Sequence, residues 1–203
     1  PDLRLNINLG YDYASGKGTI IVPENSSIGW ERFTLKQNGK PDVLKSGTNN
    51  SYEQQKRSLL FDIYTNYAKE ITSLRSRVDL MAGYSYQDWK TNVHNSPDYT
   101  YDKTLVSSPV FPVDYPQNTL VSFYGRLNYS LLDRYLLTAT VRADGSSRFS
   151  KENRWGIFPA LALAWRVKEE SFLKNVSWID DLKLRLGYGV TGQQDGIGNY
   201  TYL

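Results

Sequence analysis

Residues able to do chemistry are few in this chain, and their spacing argues against most reactions. Gly187, Gly189 and Gly192 match G-x-G-x-x-G in the run GYGVTG. That fingerprint holds a dinucleotide only where it opens a helix. Here QQDGIGNY follows, which cannot continue as a helix. The glycines are read instead as positions where another backbone approaches a β-wall closely. His94 is the only histidine and there is no cysteine. A His-based triad, a histidine-cluster metal site, a thiolate nucleophile and a disulfide are therefore excluded within the chain. Glu169 and Glu170 open a possible helical turn reaching Lys174, where acids suit the helix dipole. Asp180 and Asp181 precede a strand. Both pairs are read as structural. No catalytic, cofactor-binding or metal-binding residue is assigned, and neither a cofactor nor enzyme activity is expected.

Other charged residues stand at the end of a strand. The stretch RYLLTATVRADGSSRF, residues 134–149, is an apolar strand that ends in Arg142, Asp144, Gly145 and Arg148. Asp144-Gly145 is read as the turn, since Gly tolerates positive φ and Asp favours turns. Such an ending suits a strand at the edge of a soluble sheet or one reaching a membrane surface. The elements around it decide.

Period-two alternation dominates the chain and predicts seven strands. Their apolar rows are Leu3–Tyr13, Leu59–Tyr67, Leu74–Tyr86, Val121–Tyr129, Tyr135–Ala143, Ile157–Val167 and Leu182–Val190. Most run about ten residues, near the length a tilted strand needs to cross a bilayer. The connections alternate between long and short. Long ones fall near residues 14–56 and 92–117, and short ones are KEITS and LLD; the connection before the last strand, KEESFLKNVSWIDD, is an enlarged short one. Structureless loops this long count against a compact soluble domain. They fit an outer-membrane barrel with long extracellular loops and short periplasmic turns.

Composition agrees. There are 203 residues, 22% charged, and no run approaches 18 apolar residues, so no transmembrane helix is predicted. Aromatic residues make up 14%, with 16 tyrosines. Tyr11, Tyr13, Tyr84, Tyr86, Trp155 and Tyr188 fall at one end of the strands, and Tyr67, Tyr129, Tyr135 and Trp165 at the other. Two girdles of this kind suit the two headgroup zones. The formal net charge of +3 comes from interleaved acids and bases, which gives no nucleic-acid footprint. The row opposite the apolar one carries Arg126, Arg142, Asp144 and Arg185, with Arg148 just beyond. These five are the candidates for structural contacts to a polar lumen or to a plug inside it. A solvated lumen lining and a clasp on a plug or anionic ligand both fit them.

The run YSLLDRYLLTATVRADGSSRFSKENRWGIFPALALAWRVKEESFL, with DDLKLRLGYGVTGQQDGIGNY after it, closely resembles the SusC/RagA family of TonB-dependent outer-membrane transporters of Bacteroidetes. Residues 119–200 carry the strong match, LMAGYSYQ at 80–87 a moderate one, and residues 14–56 almost none. The resemblance implies a barrel of about 22 strands closed by a plug. It also implies import of an oligosaccharide, glycan or peptide beneath a SusD-like lipoprotein, energised by TonB with ExbB and ExbD. Residues 1–203 are then expected to form part of one β-barrel domain set in outer-membrane lipid. The plug, the TonB box and the signal peptide are expected to lie outside them. A passive porin and a soluble β-rich carbohydrate-binding module are the competing readings.

Overall fold

The computed structural model describes residues 2–27, 32–37, 40–194 and 196–199. Twelve strands lie among them: β1 (Leu3–Val22), β2 (Arg32–Gln37), β3 (Lys40–Ser46), β4 (Thr48–Ile71), β5 (Ser76–His94), β6 (Asp98–Tyr99), β7 (Leu105–Ser107), β8 (Val113–Asp114), β9 (Gln117–Leu131), β10 (Tyr135–Ser146), β11 (Trp155–Arg166) and β12 (Lys183–Gly189). Seven form a meander in the order β1-β4-β5-β9-β10-β11-β12, with β8 added beside β5. β2 and β3 make one hairpin and β6 and β7 another. The seven predicted strands are therefore the seven of the main sheet. That sheet is all-β and open, with β1 and β12 at its ends.

The chain divides into two compact units. The first comprises Pro1–Gly10, Leu59–Asp88 and Asn118–Leu203, and the second Tyr11–Ser58 and Trp89–Gln117. In the first unit, β10 pairs β9 and β11 residue for residue, so side chains in register share a face. One face carries Tyr135 with Trp165, then Leu137 with Leu163 and Tyr129, Ala139 with Leu161 and Leu127, and Ala143 with Ile157 and Phe123. β12 extends it with Leu184, Leu186 and Tyr188. The other face carries Thr138 with Asn128 and Ala162, Thr140 with Arg126 and Ala160, Arg142 with Tyr124 and Phe158, and Asp144 with Ser122 and Gly156. No hydrophobic side chain among the described residues is buried, and Leu186 is 71% exposed. A soluble sheet buries its apolar face in a core. In the first unit this sheet leaves it exposed.

Three expectations need correction. Residues 14–56 are not one long loop. β1 continues to Val22, β4 begins at Thr48, and the β2–β3 hairpin fills much of the space between. The alternation that marks a half-buried strand disappears there because GKG and the polar stretch NNSYEQQK put no apolar row on either face. Backbone pairing does not need that row. The segment before β9 likewise holds β6, β7 and β8. Second, Leu74 does not open a strand. Thr72–Leu74 is a 3-10 turn that ends on Arg75 at φ 44°, and β5 starts at Ser76.

The third correction falls on Asp144-Gly145, which is not the turn. β10 runs through both residues to Ser146, with Gly145 opposite Trp155. The reversal comes at Ser147–Arg154, where the Ser147 amide donates to the Thr119 carbonyl at 2.9 Å. Gly145 is required for another reason: a Cβ there would lie 2.9 Å from the Trp155 ring. The short β9–β10 connection is tighter than a loop. Leu132 and Asp133 have φ of 54° and 56°, and the Arg134 amide donates to the Leu131 carbonyl at 3.0 Å. Positive φ at both central residues is the type I′ hairpin.

Candidate functional site: a polar ladder across five strands

The polar face of the first unit gathers its charged groups into one network. On β4, Asp62 receives two hydrogen bonds. The Asn8 amide of β1 donates at 3.1 Å and the Tyr124 hydroxyl of β9 at 2.6 Å. To reach Asp62, the Tyr124 ring crosses β5 over Gly83, where a Cβ would stand 2.4 Å from the ring. The Arg142 guanidinium of β10 lies 5.7 Å from the centre of the same ring, within cation–π range. Its Nε donates to both carboxylate oxygens of Asp144, at 2.7 and 3.0 Å, and its Nη2 to Ser122 Oγ at 2.9 Å. One continuous ladder thus runs from β1 to β10. Alternation explains why these side chains meet, because Asn8, Asp62, Gly83, Tyr124 and Arg142 all occupy the row opposite the apolar one.

The five sequence candidates separate. Arg142 and Asp144 come together as an ion pair. Arg126 lies opposite Thr140, and Arg185 opposite Ala164, at different heights on the same face. Arg148 is held by the reversal after β10. Its Nη1 donates to the Gln194 carbonyl at 2.8 Å, tying that reversal to the segment after β12. Asp62 stands on the row opposite the apolar one, and sequence reasoning missed Tyr124 as its partner. The available signal was Gly83, a small residue inside a strand on the row facing that tyrosine.

Two further clusters pin connections. Glu170, just after β11, accepts from the Tyr135 hydroxyl at 2.6 Å, Trp165 Nε1 at 3.0 Å and Arg134 Nη1 at 3.2 Å. The Tyr135 bond, and after it the Trp165 bond, holds the Glu170 carboxyl below its ordinary range. Its role is thus to clasp two stacked girdle rings, whose centroids are 6.4 Å apart, rather than to face a helix dipole. Val167–Glu169 is a 3-10 turn, and the Lys174 amide closes a single helical turn on the Glu170 carbonyl. In the second unit, Asp102 accepts from Lys45 Nζ at 2.6 Å and from Thr104 Oγ1 at 2.9 Å, with Thr100 as a further donor. The Lys45 bond, then Thr100 and Thr104, depresses the Asp102 carboxyl well below the carboxylate range, and the Lys45 ammonium is raised in return. His94 is half-exposed, with Nδ1 3.9 Å from Glu53.

These clusters hold strands and turns in place. They offer no nucleophile activated by a base and, among the described residues, no group of three or more metal-ligating side chains. After Gly192 the chain continues without helix through the described residues, so the glycine run does not form a dinucleotide site. The ring of Phe158, not a backbone, occupies the space over Gly192.

Comparison with known proteins agrees with this architecture. The model of the family "TonB dependent receptor-like, beta-barrel" matches residues 2–202. The TonB-dependent receptor SusC of Bacteroides thetaiotaomicron is 42% identical over 214 aligned residues, covering 100% of this chain and 19% of SusC. The TonB-dependent receptor P39 of Formosa agariphila is 31% identical, over 96% of this chain and 18% of its own length. The chain therefore spans about a fifth of the curated relatives it matches. Among solved structures, that of the RagAB peptide transporter superposes with a TM-score of 0.71 at 20% identity, over 98% of this chain and 22% of that one, a likeness of fold. The chain belongs to the TonB-dependent receptor family, as a segment of its outer-membrane β-barrel.

Proposed function

We propose that this segment is wall from the barrel of an active nutrient importer, in which residues 1–203 all belong to one barrel domain. The apolar face meets outer-membrane lipid and the polar face meets the lumen. The observation that carries the reading is the two-faced sheet: an unburied apolar row with aromatic rings at both ends, backed by the ladder from Asn8 to Asp144. A lumen wall of this kind needs its charges compensated and held, and Arg142 with Asp144 meets that need. Arg126, Arg142, Asp144, Arg148 and Arg185 act as structural wall or plug-facing residues rather than substrate ligands.

The resemblance of residues 119–200 to the SusC/RagA family supports a SusD-like surface lipoprotein as partner and an oligosaccharide as cargo, while a peptide cargo follows the named activity of RagAB. TonB, with ExbB and ExbD, supplies the energy through parts of the whole protein outside this segment. The reading makes the protein a transporter, not an enzyme. Uptake of labelled oligosaccharides and peptides by cells making the whole protein tests it. Uptake should fall to background when TonB is deleted and when the neighbouring lipoprotein is removed. Uptake that survives loss of TonB would make the barrel a passive porin.

A further inference from the structure

Within the first unit, the segment after β12 folds against the polar face of β11. The Val190 amide donates to the Pro159 carbonyl at 2.9 Å, so the chain still follows β11 as β12 ends. The Phe158 ring then occupies the space that a side chain at Gly192 would need. Phe158 is in register with Arg142, in the polar row, so Gly192 lies against that face. Arg148 Nη1 fixes the end of this path on the Gln194 carbonyl at 2.8 Å. A cavity of ≈ 370 Å³ lies between the segment, the reversal after β10 and the strand ends. Asp144, Phe149, Asn153, Arg154, Phe158 and Gln194 line it. Of the strand residues in its wall only Trp155 belongs to the apolar row, where β11 begins. The volume lies in the range of small-ligand pockets, about 300–1,000 Å³.

Two of these side chains hold unspent polar atoms. Arg154 Nε and Gln194 Oε1 are shut off from solvent and have no hydrogen-bond partner. Among the described residues Arg154 also makes no ion pair. Asp144 is already engaged, with both oxygens on Arg142 Nε. A buried polar group without a partner costs stability, and a ligand that supplies the partner removes that cost. Each atom needs only a turn of its side chain into the cavity it lines.

The pair of atoms selects the ligand. An anion would serve Arg154 and leave Gln194 Oε1 unpaired, and a cation would do the reverse. A peptide unit carries one donor and one acceptor, but they point to opposite sides. A hydroxyl donates and accepts at a single oxygen. A ring with hydroxyls on its rim and C–H bonds on its faces also suits the aromatic wall of Phe158. We propose that Arg154, Gln194 and Phe158 bind one sugar ring of the cargo. The inference rests on the import reading above and selects sugar over peptide as the cargo that touches this wall.

The test titrates the whole protein in detergent, by calorimetry, with hexasaccharides of α-glucan, β-glucan, xylan and mannan and with a tryptic peptide mixture. At least one hexasaccharide should bind, and the peptides should bind at least about 10-fold more weakly. For that sugar Arg154→Gln should weaken binding about 10-fold, the worth of a hydrogen bond from a charged group. Gln194→Ala should weaken it about 3-fold and Phe158→Leu about 5-fold. Lys69→Gln removes an exposed charge on β4 and should change binding less than about 2-fold. Failure of all four sugars to bind, peptide binding of equal strength, or unchanged affinity in folded Arg154→Gln and Gln194→Ala would overturn the proposal. So would variants that lose unfolding temperature but keep their affinity, the mark of a cavity filled by another part of the protein. Uptake that persists without TonB would defeat the import reading and leave these affinities as they are.

Discussion

Gly83 sets the ladder at the level of single residues. The Tyr124 ring fills the space a side chain would need, and its hydroxyl is fixed on Asp62. Gly83→Ala should push that hydroxyl off the carboxylate and destabilise the whole barrel by about 1–3 kcal/mol, the usual cost of overpacking. In a Tyr124→Ala background the same change should cost less than roughly 0.5 kcal/mol, because nothing remains to displace. Unfolding midpoints of the four proteins measure the coupling, and equal costs in both backgrounds would refute it. Gly145 teaches a related lesson. Beside Asp144 it looks like a turn residue, yet it lies in a regular strand under the Trp155 ring. A glycine in a strand is ambiguous in sequence between a bend and a close approach, since the residue across the sheet decides which.

At the scale of elements, what was legible followed the apolar row. Seven strands and their order could be read because one face alternates Leu, Ile, Val and Tyr with small or polar residues. β2, β3, β6, β7 and β8, and the outer halves of β1 and β4, could not, because they have no such row and are held by backbone pairs and local polar contacts. The candidate site was half legible for the same reason. Alternation put Arg142, Asp144 and Asp62 on one side, but the Tyr124 bridge depends on register between strands distant in sequence. The β6–β7 hairpin shows how such elements are held: Asp102 binds Lys45 and two threonines, and Asp98 binds Asn50 and Ser107. Because the folded Asp102 carboxyl titrates below its unfolded value, its contribution is present above about pH 4 and disappears as the pH falls further. The protection of amides 98–107, taken relative to their intrinsic exchange rates at each pH, should therefore fall on acidification below about pH 4. Lys45→Met should already loosen the hairpin at pH 7, while exchange in β10 stays unchanged. A hairpin equally protected in both proteins at both pH values would rule this out.

For the whole molecule, the decisive property is which face meets lipid. Leu163 and Ala162 are adjacent on β11 and point to opposite faces, paired with Leu137 and Thr138 on β10. An arginine at mid-membrane on the lipid side costs roughly 2–4 kcal/mol, and on the lumen side it is tolerated. Leu163→Arg should therefore lower the refolding stability of the whole barrel by that amount, and Ala162→Arg by less than about 1 kcal/mol. Equal losses would reverse or abolish the assignment of faces. The absence of any buried apolar side chain in the described sheet makes the test direct, since little core packing is disturbed on either side.

The two tryptophans of β11 carry one more consequence. Trp155 stacks on Phe123 at one end of the strand and Trp165 on Tyr135 at the other, both in the apolar row. About ten residues separate them, or roughly 33 Å along the strand. At a tilt near 40° that span projects to roughly 25 Å, the height of the apolar band of a barrel. β11 thereby has a fixed hydrophobic length with an indole marking each end, and Glu170 anchors the Trp165 end. Where bilayer and band differ in thickness, a rigid sheet cannot adjust by kinking, so the lipid around it must thin or thicken instead. The spacing of these rings thus gauges the membrane in which the barrel sits without strain.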